Sequence, residues 1–423
     1  MQKKIIYVLL DGIGDLPHPD LNGLTPLEAA HTPNLDIIAQ NGVSGEVTSV
    51  GKGIAPQSDI AVFNMLGYSF KDHDYVGRGV VECLGCNIDF KEGDLALRGN
   101  FATIDQSKRI IDRRAGRNIS PSDANEVCNI IQEIVKIKDI EFFIKPTIGH
   151  RVIVNFRKKN GEKLGDNITN TDPAYDKING IGVAKKDQDE IYITESKDKD
   201  RNSKFSAEIV NSFTNQVIDI LRNSKVNKKR IDAGLLPINC ILLRDAGNRY
   251  PHIQPINDKF KLNFASLVDM PVEIGISKIL GMKPYDAGNT NEYGLKSKIL
   301  VDKINNHDFM YVHLKGPDEF GHDGNAFGKK ESIEEIDTQF FKPLIEELNH
   351  NKDSDINFII SGDHSTPCIK KAHTDDPIPL LVSGRNIVND GTSRFTEKYA
   401  SKGKIGKILG FEVIQQALDL FKK

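Results

Sequence analysis

FMYVHLKGPDEFGH, residues 309–322, decides the fold. Five apolar residues and one histidine, Phe309 to Leu314, make a short run that stops at a lysine, a glycine-proline pair, and Asp318 and His322 at D-x-x-x-H spacing. A largely apolar run of this length reads as a strand buried on both faces, as in a parallel sheet, and the polar residues after it read as the crevice such a sheet opens at its carboxyl ends. The same pattern recurs in IIYVLL ending at Asp11, in INFIIS (Ile356 to Ser361) ending at Asp363 and His364, and in IPLLV (Ile378 to Val382). Helical stretches, Glu331 to Leu348 and Gly410 to Phe421, lie between or after these runs, which makes a βαβ pattern and an α/β, doubly wound sheet.

The middle of the chain reads differently. Between residues 88 and 260 the strands alternate, as in ALRGNFATID and HRVIVNF, around one long helix, Phe205 to Arg222, and polar loops that include the charged runs KKDQDE and ESKDKDRNSK. This predicts an α+β domain, 88–260, inserted into a discontinuous α/β domain made of 1–87 and 261–423.

Composition limits the partners. The 423 residues carry 56 Lys+Arg against 59 Asp+Glu, a net charge of −3, so there is no basic field for a nucleic-acid backbone. No apolar run approaches the roughly 20 residues of a membrane helix, and the run Ile5 to Leu10 is cut short by Asp11 with no cleavage site after it, so the expectation is a cytoplasmic protein with neither membrane nor nucleic acid as a partner. Self-association stays open. Five cysteines do not form a disulfide framework. Cys83 and Cys86 have C-x-x-C spacing, but a structural zinc needs two more ligands nearby, so they read as small core residues.

If the residues after the strands are taken as one set, Asp11, Asp318, His322, Asp363, His364 and His373 converge. Singly, such residues cap helices or meet solvent; their joint placement is what reads as a site. Carboxylate and imidazole donors without thiols suit Mn²⁺, Zn²⁺ or Mg²⁺, and six ligands are too many for one catalytic metal with an open position, so two ions are expected. GKGIAPQSDIAVFNMLG supplies a nucleophile: Ser58 follows a Gly/Pro-rich loop and opens an apolar helix, Asp59 to Leu66, closed by Gly67. An N-cap serine explains Ser58 equally well without the metal cluster. With it, a helix N-terminus favours a phosphate dianion and a metal activates the hydroxyl. A nucleotide cradle is not supported, because the spacing from Gly45 to Gly51 is one residue too long, Gly53 follows Lys52 where Ser or Thr is required, and Gly77-Arg78-Gly79 lacks its third glycine.

The inserted region is rich in arginine: Arg98; Arg109, Arg113, Arg114 and Arg117 in KRIIDRRAGRN; Arg151 beside His150; and Arg244 in LLRDAG. Guanidinium forks match carboxylate and phosphate oxygens, so the set fits a small phosphorylated acid.

The order Asp11, Ser58, Asp318-x-x-x-His322, Asp363-His364, His373 is similar to the metal and nucleophile pattern of the alkaline phosphatase superfamily. The strings LLDGIGD, YVGRGVVE, NFATID, DRRAGR, KPTIGHRVIV, NTDP, HLKGPDEFGHDGN and SGDHSTP resemble, from the first strand to the last helix, the archaeal-type cofactor-independent phosphoglycerate mutases. The resemblance implies an alkaline-phosphatase-like sheet and an isomerase of glycolysis and gluconeogenesis. This enzyme would interconvert 3-phosphoglycerate and 2-phosphoglycerate through a phosphoserine at Ser58, without 2,3-bisphosphoglycerate or nucleotide. It further implies two divalent ions, Mn²⁺ first, with Mg²⁺, Zn²⁺ or Co²⁺ as alternatives. One would be held by Asp11, Ser58, Asp363 and His364, the other by Asp318, His322 and His373. The arginines and His150 would hold the glycerate while domain closure excludes water, and Lys315 would contact phosphate. The alternative within the superfamily is a metal-dependent phosphatase or phosphotransferase acting on another acceptor, such as homoserine.

Overall fold

The computed structural model describes residues 3–70, 75–178, 181–184, 190–350 and 355–422. The chain divides into two compact units, one made of 1–70, 254–269 and 280–423, the other of 71–253 and 270–279.

In the first unit eight strands form one sheet, in the spatial order Lys283–Asp286, Phe264–Val268, Phe309–Leu314, Lys3–Leu10, Asp355–Gly362, Ile378–Ser383, Gly42–Thr48, Gly406–Leu409. The central strand Lys3–Leu10 is parallel to both neighbours, with Leu10 in register with Leu314 on one side and Gly362 on the other. Three adjacent strands therefore end at one level, and the next residue of each, Asp11, Lys315 and Asp363, leaves the sheet at the same edge. Ile6, Tyr7, Val8 and Leu9 have no exposed surface, as expected of a strand covered on both faces.

The strand Ile378–Ser383 departs from the expected parallel arrangement: it is antiparallel to both Asp355–Gly362 and Gly42–Thr48. A parallel return needs a crossover, usually a helix. The connection after Gly362 contains none and instead folds back on itself, with bridges from Ser365 to Ile13, Gly14 and Thr374. The stretch Glu331 to Leu348 is also not one α-helix. Helices Ala326–Ile336 and Lys342–His350 flank a π-helical segment, Asp337–Phe341. Its wider turn accompanies a buried Asp337 whose carboxylate accepts the N–H groups of Asn34 (3.3 Å) and Leu35 (2.8 Å), at the start of helix Pro33–Ala39. Gly410 opens a 3₁₀ turn before helix Val413–Lys422.

The inserted unit is α+β. Leu95–Ile104 is antiparallel to Arg151–Lys158, Cys240–Gly247 and Ile110–Asp112, and Ile140–Pro146 pairs outside Arg151–Lys158. One face packs Leu97, Phe101, Val154, Phe156 and Leu243 against helices Pro121–Ile134 and Arg201–Arg222, through Val127, Ile131, Phe213 and Val217. Against the expected 88–260, the unit begins at 71, its continuous stretch runs to 253, and it takes in 270–279 as well. Helices Arg78–Gly85 and Pro271–Ile279 both belong to it, because they cross at two glycines: a Cβ on Gly85 would collide with the Pro271 carbonyl, and one on Gly275 with the Val81 carbonyl. Cys83 and Cys86 are buried free thiols in the apolar cluster under the first of these helices, and burial pushes the Cys86 thiol up to about 12. Of the charged run KKDQDE, residues 185–189 lie outside the described residues. Among the described residues no helix is long and apolar enough to cross a membrane.

Candidate active site

At the carboxyl edge of the main sheet, Asp363 is fully buried and its Oδ1 accepts two backbone N–H groups, from Gly12 (3.0 Å) and His364 (3.0 Å). Its Oδ2 lies 3.3 Å from His364 Nε2 and 3.7 Å from His313 Nε2. Asp11 Oδ1 is 3.5 Å from the same His364 nitrogen, while Asp11 Oδ2 pairs with Lys315 Nζ at 2.9 Å. Asp318 Oδ1 stands 3.4 Å from His373 Nε2 and 3.6 Å from His322 Nε2. The His364 and His373 rings stack with centroids 3.7 Å apart.

Two sets of donor atoms are close enough to share an ion, Asp11 with Asp363 and His364, and Asp318 with His364 and His373; within each set they lie within 4.8 Å of one another. Asp11 Oδ1 and Asp363 Oδ2 are buried and accept no hydrogen bond among the described residues. Burial, reinforced by the Asp11 charge, pushes the Asp363 carboxyl well above its usual range. Burial also works to raise Asp318, but the hydrogen bond from His373 and the charges of His364, His373 and His322 outweigh it and hold it well below the usual range. Beside the Lys315 ammonium on Asp11 Oδ2, these two desolvated carboxylates still each keep a bare oxygen, and oxygen and imidazole donors without thiolate are what divalent ions of hard or borderline character take. The donor set fits metal.

Ser58 is not the N-cap of its helix. The helix runs Ser58–Met65, Gln57 occupies the cap position, and the Ser58 hydroxyl faces His364 Nε2 at 3.2 Å. Gln57 makes no side-chain capping bond, and Asp59 stands buried in the first turn.

The inserted unit carries a second polar cluster. Arg98 and Arg244 are opposite each other across adjacent strands, and Asn100, two residues along, is opposite Arg151 on the other side. All point to the sheet face away from the two helices, since side chains alternate along a strand. Three buried carboxylates hold the forks: Glu82 beside Arg78 (2.6 Å) and Arg98 (3.6 Å), Asp172 between Arg244 (2.6 Å) and Arg113, and Asp245 beside Arg98 (3.9 Å) and Arg244 (3.7 Å). Burial, then the charges of Arg151, Arg244, Arg98 and Arg117, push His150 down to about 4. Residues 115–117 turn through three successive positive φ angles, 44°, 80° and 57°, which carries Arg117 to the surface.

The family model described as 2,3-bisphosphoglycerate-independent phosphoglycerate mutase matches residues 39–227. A protein of that name from Aeropyrum pernix is 38% identical, over 99% of both chains. The chain belongs to the 2,3-bisphosphoglycerate-independent phosphoglycerate mutase family. Two solved structures share its fold over nearly all of both chains: the PH0037 protein from Pyrococcus horikoshii (TM-score 0.80, 28% identity, 100% of this chain and 98% of the other) and the cofactor-independent phosphoglycerate mutase from Thermoplasma acidophilum (0.64, 29%, 99% of each).

In this member of the mutase family the sequence-derived residues fall into three groups. Asp11, Ser58, Lys315, Asp318, Asp363, His364 and His373 are brought together at the sheet edge, whereas His322, 44% exposed, lies 3.6 Å from Asp318 with its Nδ1 against the Lys371 carbonyl (3.3 Å), outside both donor sets. Arg98, Arg113, Arg151, Arg244 and His150 are linked by the carboxylates or fields just described; Arg114 lies beside them in sequence, its N–H bonded to Asp112. Arg109 stands on exposed surface against Glu190, 3.7 Å away. Sequence reasoning missed His313, Glu82, Asp172 and Asp245. Asp172 lies in NTDP and Glu82 in YVGRGVVE, so their motifs are visible, but no spacing rule joins an acid to an arginine 72 residues away, as Asp172 is joined to Arg244.

Proposed function

We propose that the enzyme interconverts 3-phosphoglycerate and 2-phosphoglycerate without 2,3-bisphosphoglycerate, through a phosphoserine at Ser58 in a site for two divalent ions, Mn²⁺ foremost. The observation that carries this reading is the Ser58 hydroxyl at the N-terminus of its helix, 3.2 Å from His364 Nε2, which belongs to both donor sets. Asp11, Asp363 and His364 would hold one ion and Asp318 and His373 the other, with Ser58 and His322 completing the two shells. Bound there, the ions supply Lewis acidity, which lowers the pKa of a serine hydroxyl and offsets phosphate charge.

The residues of the chain do the rest. Ser58 Oγ attacks phosphorus as the bond from phosphorus to the glycerate oxygen breaks, with net transfer of the serine proton to the freed glycerate oxygen, and the helix N-terminus and Lys315 would face the phosphoryl oxygens. The arginine forks hold the freed glycerate by its carboxylate, already aimed by Glu82, Asp172 and Asp245. The other glycerate hydroxyl then attacks the phosphoserine and releases Ser58.

The test is turnover of 3-phosphoglycerate, read by coupling to enolase, in chelator-stripped protein to which Mn²⁺ or Mg²⁺ is returned, with no bisphosphoglycerate present. Metal-restored turnover is expected. Ser58→Ala should abolish it, along with the phosphorylated Ser58 peptide seen by mass spectrometry; undiminished turnover in that variant would falsify the serine mechanism. Metal-dependent phosphate release from other esters, without mutase turnover, would redirect the search to a different acceptor.

A further inference from the structure

Thr366, in SGDHSTP, lies two residues beyond His364 and is fully buried. Its backbone is fixed at both ends. The N–H donates to Gly14 O (3.0 Å), and the carbonyl accepts from Lys329 Nζ (3.0 Å), a buried ammonium that also binds Gly14 O (3.0 Å) and Asp15 Oδ2 (2.8 Å). Its Oγ1 lies 2.7 Å from Asp318 Oδ1 and 3.1 Å from His364 Nδ1. Two glycines make room for this approach. At Gly12, with φ +61°, a Cβ would come within 2.8 Å of Oγ1 and 2.7 Å of Asp318 Oδ1; at Gly321 it would collide with the Thr366 carbonyl.

A hydroxyl has one proton to give. A carboxylate only accepts, so that proton goes to Asp318, and the remaining contact requires His364 Nδ1 to donate to Oγ1. In a neutral imidazole the lone pair is then on Nε2, the nitrogen facing Ser58 Oγ (3.2 Å), Asp363 Oδ2 (3.3 Å) and Asp11 Oδ1 (3.5 Å). His373, stacked on His364, is oriented by another route: its Nδ1 donates to the Pro56 carbonyl at 2.7 Å, and its Nε2 lies 3.4 Å from Asp318 Oδ1. One ring is oriented by a backbone carbonyl, the other by a side-chain hydroxyl.

We propose that Thr366 is a positioning residue that holds His364 in its Nδ1–H tautomer, presents Nε2 as a metal donor, and joins the two donor sets through its bond to Asp318. This rests on the two-ion reading of the site. Groups that orient a ligating imidazole typically change metal affinity about 10- to 100-fold when removed.

Two measurements test it. In metal-free wild-type protein labelled with ¹⁵N-histidine, His364 should show protonated Nδ1 and unprotonated Nε2; the opposite tautomer overturns the proposal whether or not the protein binds metal. In calorimetric titrations with Mn²⁺ alone, Thr366→Val should weaken binding about 10- to 100-fold, and Thr366→Ser, which keeps the hydroxyl, should restore most of it. Equal affinity in the valine variant and the wild type overturns the relay, and so does equal loss in the serine and valine variants, which would trace the effect to packing of the methyl group. If wild-type protein takes up no Mn²⁺, the two-ion reading fails, and the tautomer spectrum still decides the role of Thr366. A misfolded valine variant leaves the serine variant and the wild-type spectrum to settle the matter.

Discussion

The two polar clusters are built on opposite electrostatic plans. At the edge of the main sheet, Asp11 and Asp363 keep buried oxygens without hydrogen bonds among the described residues, although Lys315 pairs with the other oxygen of Asp11. In the inserted unit Glu82, Asp172 and Asp245 each stand beside two guanidinium groups, although Asp245 Oδ2 makes no hydrogen bond among the described residues, and arginines outnumber acids in that cluster. The first cluster is incomplete without a cation. In the proposed mechanism the second, its guanidinium groups already held by acids, takes the anion. Pre-ordered forks lose less entropy on binding, while like charges forced together are relieved only by their ligand.

The largest effect that could break this contrast comes from Asp363→Asn. Removing one of two repelling buried carboxylates should raise the thermal midpoint of metal-free protein, yet remove most of the stabilisation that Mn²⁺ gives wild type, on the order of 2–3 kcal/mol at a hundredfold excess over the dissociation constant. Turnover should fall by roughly 10³-fold or more. Thermal melts with and without Mn²⁺, beside the coupled assay, measure all three. A variant whose metal-free form is less stable than wild type would mean that the bare oxygens are not a source of strain.

The matching substitution in the other cluster, Asp172→Asn, has the opposite sign. Asp172 is completely buried between Arg113 and Arg244, so losing its charge leaves two guanidinium groups short of a partner and should cost about 3 kcal/mol in a denaturant titration. Inorganic phosphate should recover part of that loss, and KM for 3-phosphoglycerate should rise about tenfold with a smaller change in kcat. A variant as stable as wild type would show that the forks do not depend on Asp172.

The difference in plan also explains what can be read in the sequence. The metal donors follow apolar strands, and the end of a buried strand is visible in one dimension, so Asp11, Asp318, Asp363 and His364 stand out from the order of residues alone. Ser58 is visible too, but its direction is not: the same residue type caps helices, and only the position of His364, 306 residues away, shows that the hydroxyl turns elsewhere. The arginine cluster is held by Glu82, Asp172 and Asp245, three acids among 59, matched across strands whose pairing carries no local signature. The reversed strand Ile378–Ser383 has the composition of the parallel strands of the same sheet, because burial on both faces sets composition and direction does not. The boundary near residue 71 depends on Gly85 and Gly275, small residues whose meaning comes from a helix 190 positions away.

The smallest expected effect sharpens the contrast most directly, because one histidine reports the charge of the second cluster. His150 is pushed down to about 4 from an ordinary 6.5 by burial and by Arg151, Arg244, Arg98 and Arg117. A depressed histidine favours the folded state above its unfolded value, and that advantage is lost as pH falls from about 6.5 toward 4, where the unfolded chain takes up the proton first. His150→Gln should therefore flatten the decline in stability across that window and leave the thermal midpoint at pH 8 nearly unchanged. Inorganic phosphate bound to the forks would offset the arginine field and raise the His150 pKa by about one unit, followed by the pH titration of its ring proton signals. If phosphate saturates the protein and the His150 titration does not move, the anion is held elsewhere, and the arginine forks of the inserted unit are structural ion pairs rather than a waiting site.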